Sequence, residues 1–396
     1  MNLDIYDRSQ YADGAPHEVF AELRRTSPVH WQDIPGQAGY WALLSHADVT
    51  WASKQPEMLS SAEGGITVED MDAEGLKGMR QMLLGMDPPQ HRAMRKPLVP
   101  EFSAKVIAGL EPMIGDLTRS VLGEVDETSV VDVVEVAAQL PTRIVGGMLG
   151  LPPADWDHLH HLAAAAARSV NGDAEDANNN AIAELAVYAM GHAGARRGLE
   201  GEPPPDLTSL MLHGNFGGKQ LDDIEFALLF VQLFIAANDT TVGMLAGGVS
   251  ELLNHPNQLA DLRADRGLIP SAVEEILRYA NPLHYFRRTA MADLEIGGQQ
   301  IRAGQKVALY YTSANRDESV FVDPQRFDIR RSPNPQISFG MGEHYCLGVH
   351  LARLEGRIFF AELLNAFSSI ERDGAPRRTA SNFNNGLDSL PVRVRR

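Results

Sequence analysis

The 396-residue chain contains one cysteine, Cys346. A lone thiol cannot close an internal disulfide or complete a multi-cysteine zinc or iron–sulfur site. A single cysteine also suits a reducing cytoplasm. Long apolar runs are missing too. The longest, around residues 226–237, is interrupted by Gln232 and ends at Asn238-Asp239. No stretch of about 18 apolar residues exists, so no membrane span is expected. The opening, Met1-Asn2-Leu3-Asp4, has no basic region leading into an apolar one, so no secretory signal is expected. Basic residues are in deficit. Against 52 Asp and Glu there are 35 Lys and Arg, a net charge of −17, which argues against a nucleic-acid partner. No internal repeat is visible. With 44% hydrophobic residues the chain has material for a large core.

What is present centres on that cysteine. It sits in Phe339-Gly340-Met341-Gly342-Glu343-His344-Tyr345-Cys346-Leu347-Gly348, ahead of a helical run from Leu347 to Leu364. Glycines let the backbone approach something flat and bulky, and N–H groups at a helix start favour a thiolate over a thiol. An axial haem-iron ligand needs a charge-stabilised thiolate in a tight loop. The commonest fate of a lone cysteine is a buried structural position, but seven residues at set spacing argue for chemistry. The pattern resembles the haem-binding signature of cytochrome P450s. Microsomal members carry an N-terminal anchor; with none expected here, the chain resembles the soluble bacterial kind.

The rest of the chain reads mainly as helix. Apolar residues recur at three and four spacing in Ala104–Gly123 and Ser271–Tyr279. Pro152-Pro153-Ala154-Asp155 opens a helix reaching about Val170. The longest helix is expected over Leu221–Leu253, with Asp222 capping, Glu225 three residues on, and Asn254-His255-Pro256 stopping it. Such a helix spans roughly 45 Å. Its first half is apolar on most faces, so it should be buried. Gly297-Gly298 between Leu294–Ile296 and Gln300-Ile301 signals a hairpin. Further strands are expected at Tyr40–Leu44 and Lys306–Tyr311. Helix 181–197 lies between Asn171–Asp176 with Asn178–Asn180 and the loop Gly201–Pro205. It reads as a lid or as an ordinary surface hairpin. The resemblance implies one domain over residues 1–396. It would be mainly α with a small β-sheet region, with haem between the long central helix and the cysteine loop.

A polar run interrupts the long helix at Ala236-Ala237-Asn238-Asp239-Thr240-Thr241. Buried polar groups need partners, and a Thr can bond back one turn and bend the helix. The run resembles the acid–alcohol pair of P450s, which implies that Asp239 brings protons and Thr240 holds water or dioxygen. Relatives commonly have Gly where Ala237 stands, so a methyl would crowd that groove. Glu275 and Arg278 share a helix face. The resemblance makes them, with Arg326, a structural brace behind the cysteine loop. It also implies that His91, Arg95, Arg288 and His344 hold the haem propionates, beside the loop residues Phe339 and Gly340. Gln336 departs from the pattern, where many relatives have His, which would weaken a contact to the haem edge.

The substrate pocket is expected from Leu84, Leu233, Ala236, Ala237, Leu283, His284 and Phe286, mostly apolar and suited to a hydrophobic ligand. His284 and Tyr285 either orient a polar group or point into the protein. The resemblance implies a monooxygenase that uses O2 and haem b. Terpenoids, steroid side chains, and polyketide or peptide scaffolds are all open as substrates. No flavin motif or reductase domain is fused, so electrons are expected from a ferredoxin and its reductase. A peroxide-driven peroxygenase and a non-enzymatic haem sensor are the rival readings, and the acid–alcohol pair speaks against both. A monomer is expected. Arg92, Lys96 and Arg353 are candidate docking cations for an acidic partner, or else scattered solubilising charges, with Glu343 working against the patch.

Overall fold

The computed structural model describes residues 3–170 and 180–396. The segment read from sequence as a turn-prone flank, 171–179, lies outside the described residues. Helices form the larger core and a five-stranded sheet backs a smaller one. The sheet order is Val29–Ile34, Gln37–Leu43, Lys306–Tyr310, Tyr285–Ala290 and Leu59–Ser60. Gln37–Leu43 and Lys306–Tyr310 pair in parallel, and the other neighbours are antiparallel. The expected hairpin is present, with Gly297 and Gly298 both at positive φ, the conformation that Gly-Gly adopts without strain.

The long helix runs Asp223–Asn254. The Asp222 side chain accepts from the backbone N–H of Glu225, and the Glu225 carboxylate accepts from the N–H of Asp222, closing the capping box. Among the described residues it is the one helix long and apolar enough to span a membrane, and half of that apolar stretch is buried inside the protein. At Gly248 it meets two other helices so closely that a Cβ would lie 2.5 Å from the Phe360 ring and 2.9 Å from Ile276. The helix expected over Ala104–Gly123 is instead two, Ala104–Ala108 and Glu111–Gly123. Gly109 ends the first and Pro112 starts the second, as its missing N–H favours. The helix after the cysteine is Val349–Ala366, two residues later than the sequence suggests.

The helix Ile269–Tyr279 carries the brace. Glu275 and Arg278 are both fully buried and joined by two bonds of 2.8 Å. The third partner is not Arg326 but Arg331, whose Nε lies 3.2 and 3.1 Å from the two Glu275 oxygens. The Arg326 side chain is two-thirds exposed and approaches only Asp328, while its backbone carbonyl accepts from Arg278 and Arg331. The turn following Asp323 carries the Arg326 guanidinium outward and brings Arg331 in. Removing one partner of a buried pair leaves an uncompensated charge and costs roughly 3–5 kcal/mol. Glu275→Ala should therefore lower unfolding stability in denaturant by that much. Arg326→Ala should change it by about 0.5 kcal/mol or less, as an exposed substitution does. Equal losses in the two variants would restore Arg326 to the brace.

Candidate functional site

The cysteine loop is built by backbone geometry. Gly340 and Gly342 adopt φ of +66° and +69°. At Gly342 a side chain is barred twice, since a Cβ would also lie 2.3 Å from the Ser53 carbonyl. These turns fold the loop back so that the Cys346 N–H donates to the Phe339 carbonyl at 2.9 Å. The Arg353 guanidinium lies over the Phe339 ring at 4.9 Å from its centroid. Beneath the loop's mouth nothing lies within 4 Å of where a Cβ on Gly348 would be.

Cys346 faces a cavity whose other walls are the long helix, the segment before Asp87 and the strand that follows Pro282. Burial pushes its thiol above the ordinary value, while the Gly348 N–H, Arg95 and Arg353 pull it down. Burial outweighs the helix-start N–H groups that sequence pointed to. A metal cation on the sulfur would reverse the balance, because a coordinating thiol is deprotonated outright.

On one rim of the cavity, His91 and His344 lie with ring centroids 4.3 Å apart. Both ring nitrogens of His91 are buried without a well-aligned hydrogen bond among the described residues, although the Glu343 carboxylate approaches Nδ1 to 3.5 Å. Arg95 reaches the Tyr345 carbonyl. Arg288 is buried behind the rim and donates to the Arg287 carbonyl at 2.7 Å. Burial and the neighbouring Arg288 push the His344 imidazole down to about 2, so it is neutral. A buried imidazole N–H beside two guanidinium groups suits a ligand carrying carboxylates. With the open slot at Gly348 and the facing thiol, these residues fit a haem.

The long helix supplies the opposite wall. The Thr240 hydroxyl donates to the Ala236 carbonyl at 3.1 Å and lines the cavity. Asn238 is structural: its amide donates to the Phe234 carbonyl at 2.7 Å and its oxygen accepts from Thr142 at 2.5 Å. Asp239 lies behind the wall, where its carboxylate accepts from the Asn384 amide at 2.8 Å. Burial pushes the Asp239 carboxyl up to about 6, with the Asn384 bond pulling the other way. It therefore titrates near neutrality, which suits a proton carrier.

Leu84, Leu233, Ala236, Ala237, Leu283 and Phe286 line the cavity as expected, so the Ala237 methyl does occupy its space. His284 does not. It is buried in the protein with Nδ1 3.0 Å from the Thr312 hydroxyl and its ring against Tyr11. Alternation along the extended segment turns it to the face opposite Leu283. Tyr285 is likewise buried, its hydroxyl accepting from the Val68 N–H. Gln336 turns from the cavity to Glu274, donating at 3.1 Å. The docking cations are mostly neutralised: Arg92 pairs with Glu343 at 2.9 Å and Arg353 with Glu274 at 2.6 Å.

Sequence reasoning missed two groups. Asn384 sits one residue past the Ser381-Asn382-Phe383 stretch, held by the Ser381 hydroxyl. Glu355 is a buried carboxyl on the cavity wall beside Thr241, and burial pushes it up to about 8. Its signal was a Glu on the apolar face of the helix Val349–Ala366.

A lone thiol in a glycine-turned loop, facing an alcohol across a cavity with an acid behind it, is the arrangement of a haem-thiolate oxygenase site. The comparisons agree. A cytochrome P450 family model matches residues 195–392. The chain is 34% identical to a steroid C26-monooxygenase of Mycolicibacterium smegmatis over 403 residues, covering 99% of this chain and 93% of that one. It is 36% identical to a methyl-branched lipid omega-hydroxylase of Mycobacterium bovis over 395 residues, covering 96% and 90%. A Mycobacterium marinum cytochrome P450 solved with pseudoionone superposes with a TM-score of 0.88 at 35% identity, covering 99% of this chain and 98% of that one. The chain belongs to the cytochrome P450 family. It is an oxygenase that binds haem through a cysteine thiolate, and Cys346 is the only cysteine it has. The reduced protein should give with carbon monoxide the absorption band from which the family takes its number. Cys346→Ser should abolish it, and an unchanged band in that variant would refute the ligation.

Proposed function

We propose that the chain is a ferredoxin-dependent monooxygenase acting on a hydrophobic small molecule of terpenoid, steroid-like or lipid character. The observation that carries this reading is the placement of Thr240 on the cavity wall with Asp239 behind it, on the opposite side from Cys346. The haem, when bound, supplies the dioxygen chemistry. The chain's own residues bind, orient and manage protons. His91, Arg95, Arg288 and His344 hold the propionates by charge-assisted and neutral hydrogen bonds. Asp239, reached from the Asn384 side, takes a proton from solvent and passes it to water held at the Thr240 hydroxyl. The apolar wall of Leu84, Leu233, Leu283 and Phe286 excludes bulk water and receives the substrate body.

The steroid and methyl-branched lipid named in two relatives, and the pseudoionone of the third, support an apolar, branched substrate. A small acidic ferredoxin served by its reductase is the electron donor of this reading. With Arg92 and Arg353 paired, Lys96 is the member of the candidate patch that forms no ion pair among the described residues. One domain, a monomeric state and a cytoplasmic location complete the reading.

Two measurements test it. Losing a hydrogen bond to a charged group costs about 1.5–3 kcal/mol, so His91→Ala with Arg95→Ala should speed haem transfer to an acceptor protein while the fold persists. Unchanged loss would clear both residues of the role. For the relay, positioned proton transfer typically contributes about 10²–10⁴-fold. Thr240→Ala should keep substrate binding and divert electrons to hydrogen peroxide. Asp239 donates in its protonated form, so wild-type turnover should fall as pH rises through about 6. Asp239→Asn should be slower and lose that inflection. Fully coupled product formation in Thr240→Ala would rule the relay out.

A further inference from the structure

The wall that the long helix presents to the cavity is apolar except at three side chains: Gln232, Thr240 and Thr241. Thr240 bonds back to the helix, and Thr241 adjoins Glu355. Gln232 has no such explanation. It is the residue that breaks the apolar run of this helix in sequence. In the structure its Oε1 is buried with no hydrogen-bond partner among the described residues. An unmade hydrogen bond on a buried amide oxygen is unfavourable, and the aliphatic neighbours Leu233 and Ala236 cannot supply it.

Gln232 precedes Ala236 by one turn and Thr240 by two, so the three share a face. Eight residues of helix separate Gln232 from Thr240 by roughly 12 Å along the axis. The reacting end of the cavity is at Thr240 and Cys346, so Gln232 marks the remote end. The terminal torsion of a glutamine is broad and nearly two-fold, so the carboxamide can turn either its oxygen or its nitrogen into the cavity. A hydroxyl donates and accepts, and satisfies both orientations. A carboxylate would be buried there without a cation, since the arginine on the cavity wall, Arg95, belongs to the His91 rim.

We propose that Gln232 is a specificity-determining residue that selects apolar substrates carrying a hydroxyl at the end remote from the oxidised carbon. The inference rests on the monooxygenase reading and deepens it to a substrate class.

The test uses the haem-loaded full chain with two probes, 1-decanol and decane. Affinities are measured by calorimetry and, independently, by the shift of the Soret band. Wild type should bind the alcohol about tenfold more tightly than the alkane, as one satisfied buried amide allows. With its electron donors it should oxidise the alcohol mainly at carbons far from the hydroxyl. Gln232→Leu removes the amide at similar volume and should erase the preference, bind decane at least as well, and scatter the oxidation sites. Gln232→Met, a flexible replacement, should do the same and guards against a packing defect peculiar to leucine. A wild type that binds the pair equally would overturn the assignment. A preference that survives in both variants, or oxidation beside the hydroxyl in wild type, would do so too. The carbon monoxide band is recorded on every preparation, so loss of the haem-thiolate reading is distinguished from loss of this one.

Discussion

One fully buried carboxylate holds the cysteine loop in place. Glu275 takes Arg278 from its own helix and Arg331 from the segment ahead of the loop. It also accepts from the Asp328 N–H at 2.8 Å and the Asn334 amide at 3.2 Å. Two positive groups and two neutral donors on one carboxylate offset the large cost of taking it out of water. Arg278 then reaches back to the carbonyls of Asn315 and Pro324. Asn315 in turn binds Ser338 and the Ile337 N–H, and Ser338 returns to the Leu277 carbonyl. The chain from 315 to 338 has almost no regular structure, yet it is tied at every few residues to one helix. It delivers Phe339 and Cys346 to the cavity at a position set by that helix.

The charges around the cavity follow a second logic. Groups that could ionise there are held neutral or near neutrality: His344 is pushed down to about 2, Glu355 up to about 8 and Asp239 to about 6. In each case burial is the largest cause. Arg95 on the rim and Arg288 behind it are the arginines beside these groups. The cavity wall itself carries Arg95, a buried thiol and a Glu355 carboxyl whose pKa burial raises, an arrangement that favours an anionic ligand bearing a cation. A haem would supply such a ligand: its iron would draw the proton off the thiol, and its carboxylates would suit the arginines. The loop therefore need not generate a free thiolate by itself, and the helix-start N–H groups play a supporting part.

How much of this was legible in the sequence depends on the kind of signal. Cys346 was legible because its glycines are required by backbone geometry, at φ values that other residues rarely adopt. The long helix was legible to within two residues because Asp222 and Glu225 form a local capping box, and local motifs do not depend on the rest of the chain. Arg331 was missed because partner choice in a buried pair is decided by a loop path, and Arg326 and Arg331 look alike in sequence. His284 was misplaced for a related reason. In an extended segment one residue's difference turns a side chain to the other face, and nothing local sets that register. Asn384 was missed because it meets Asp239 across 145 residues.

The long helix joins these themes. Its period places chemically distinct groups in register along one face, so distance along the axis becomes a chemical coordinate. Thr240 lines the cavity that Cys346 also faces, and Ala236 lines it one turn away. Asn238 points elsewhere and is consumed by Thr142 and Phe234, which anchors the polar run without exposing it to the cavity. Asp239, rotated off the cavity face, is held by the Asn384 amide. A helix this deeply packed cannot shift one of these groups without shifting all of them. Gly248, pressed against Phe360 and Ile276, fixes the helix against the same two helices that carry Glu275 and follow Cys346. Thr240 and the thiol are thus positioned by a single packed unit, which is why two motifs more than 100 residues apart in sequence face each other across one cavity.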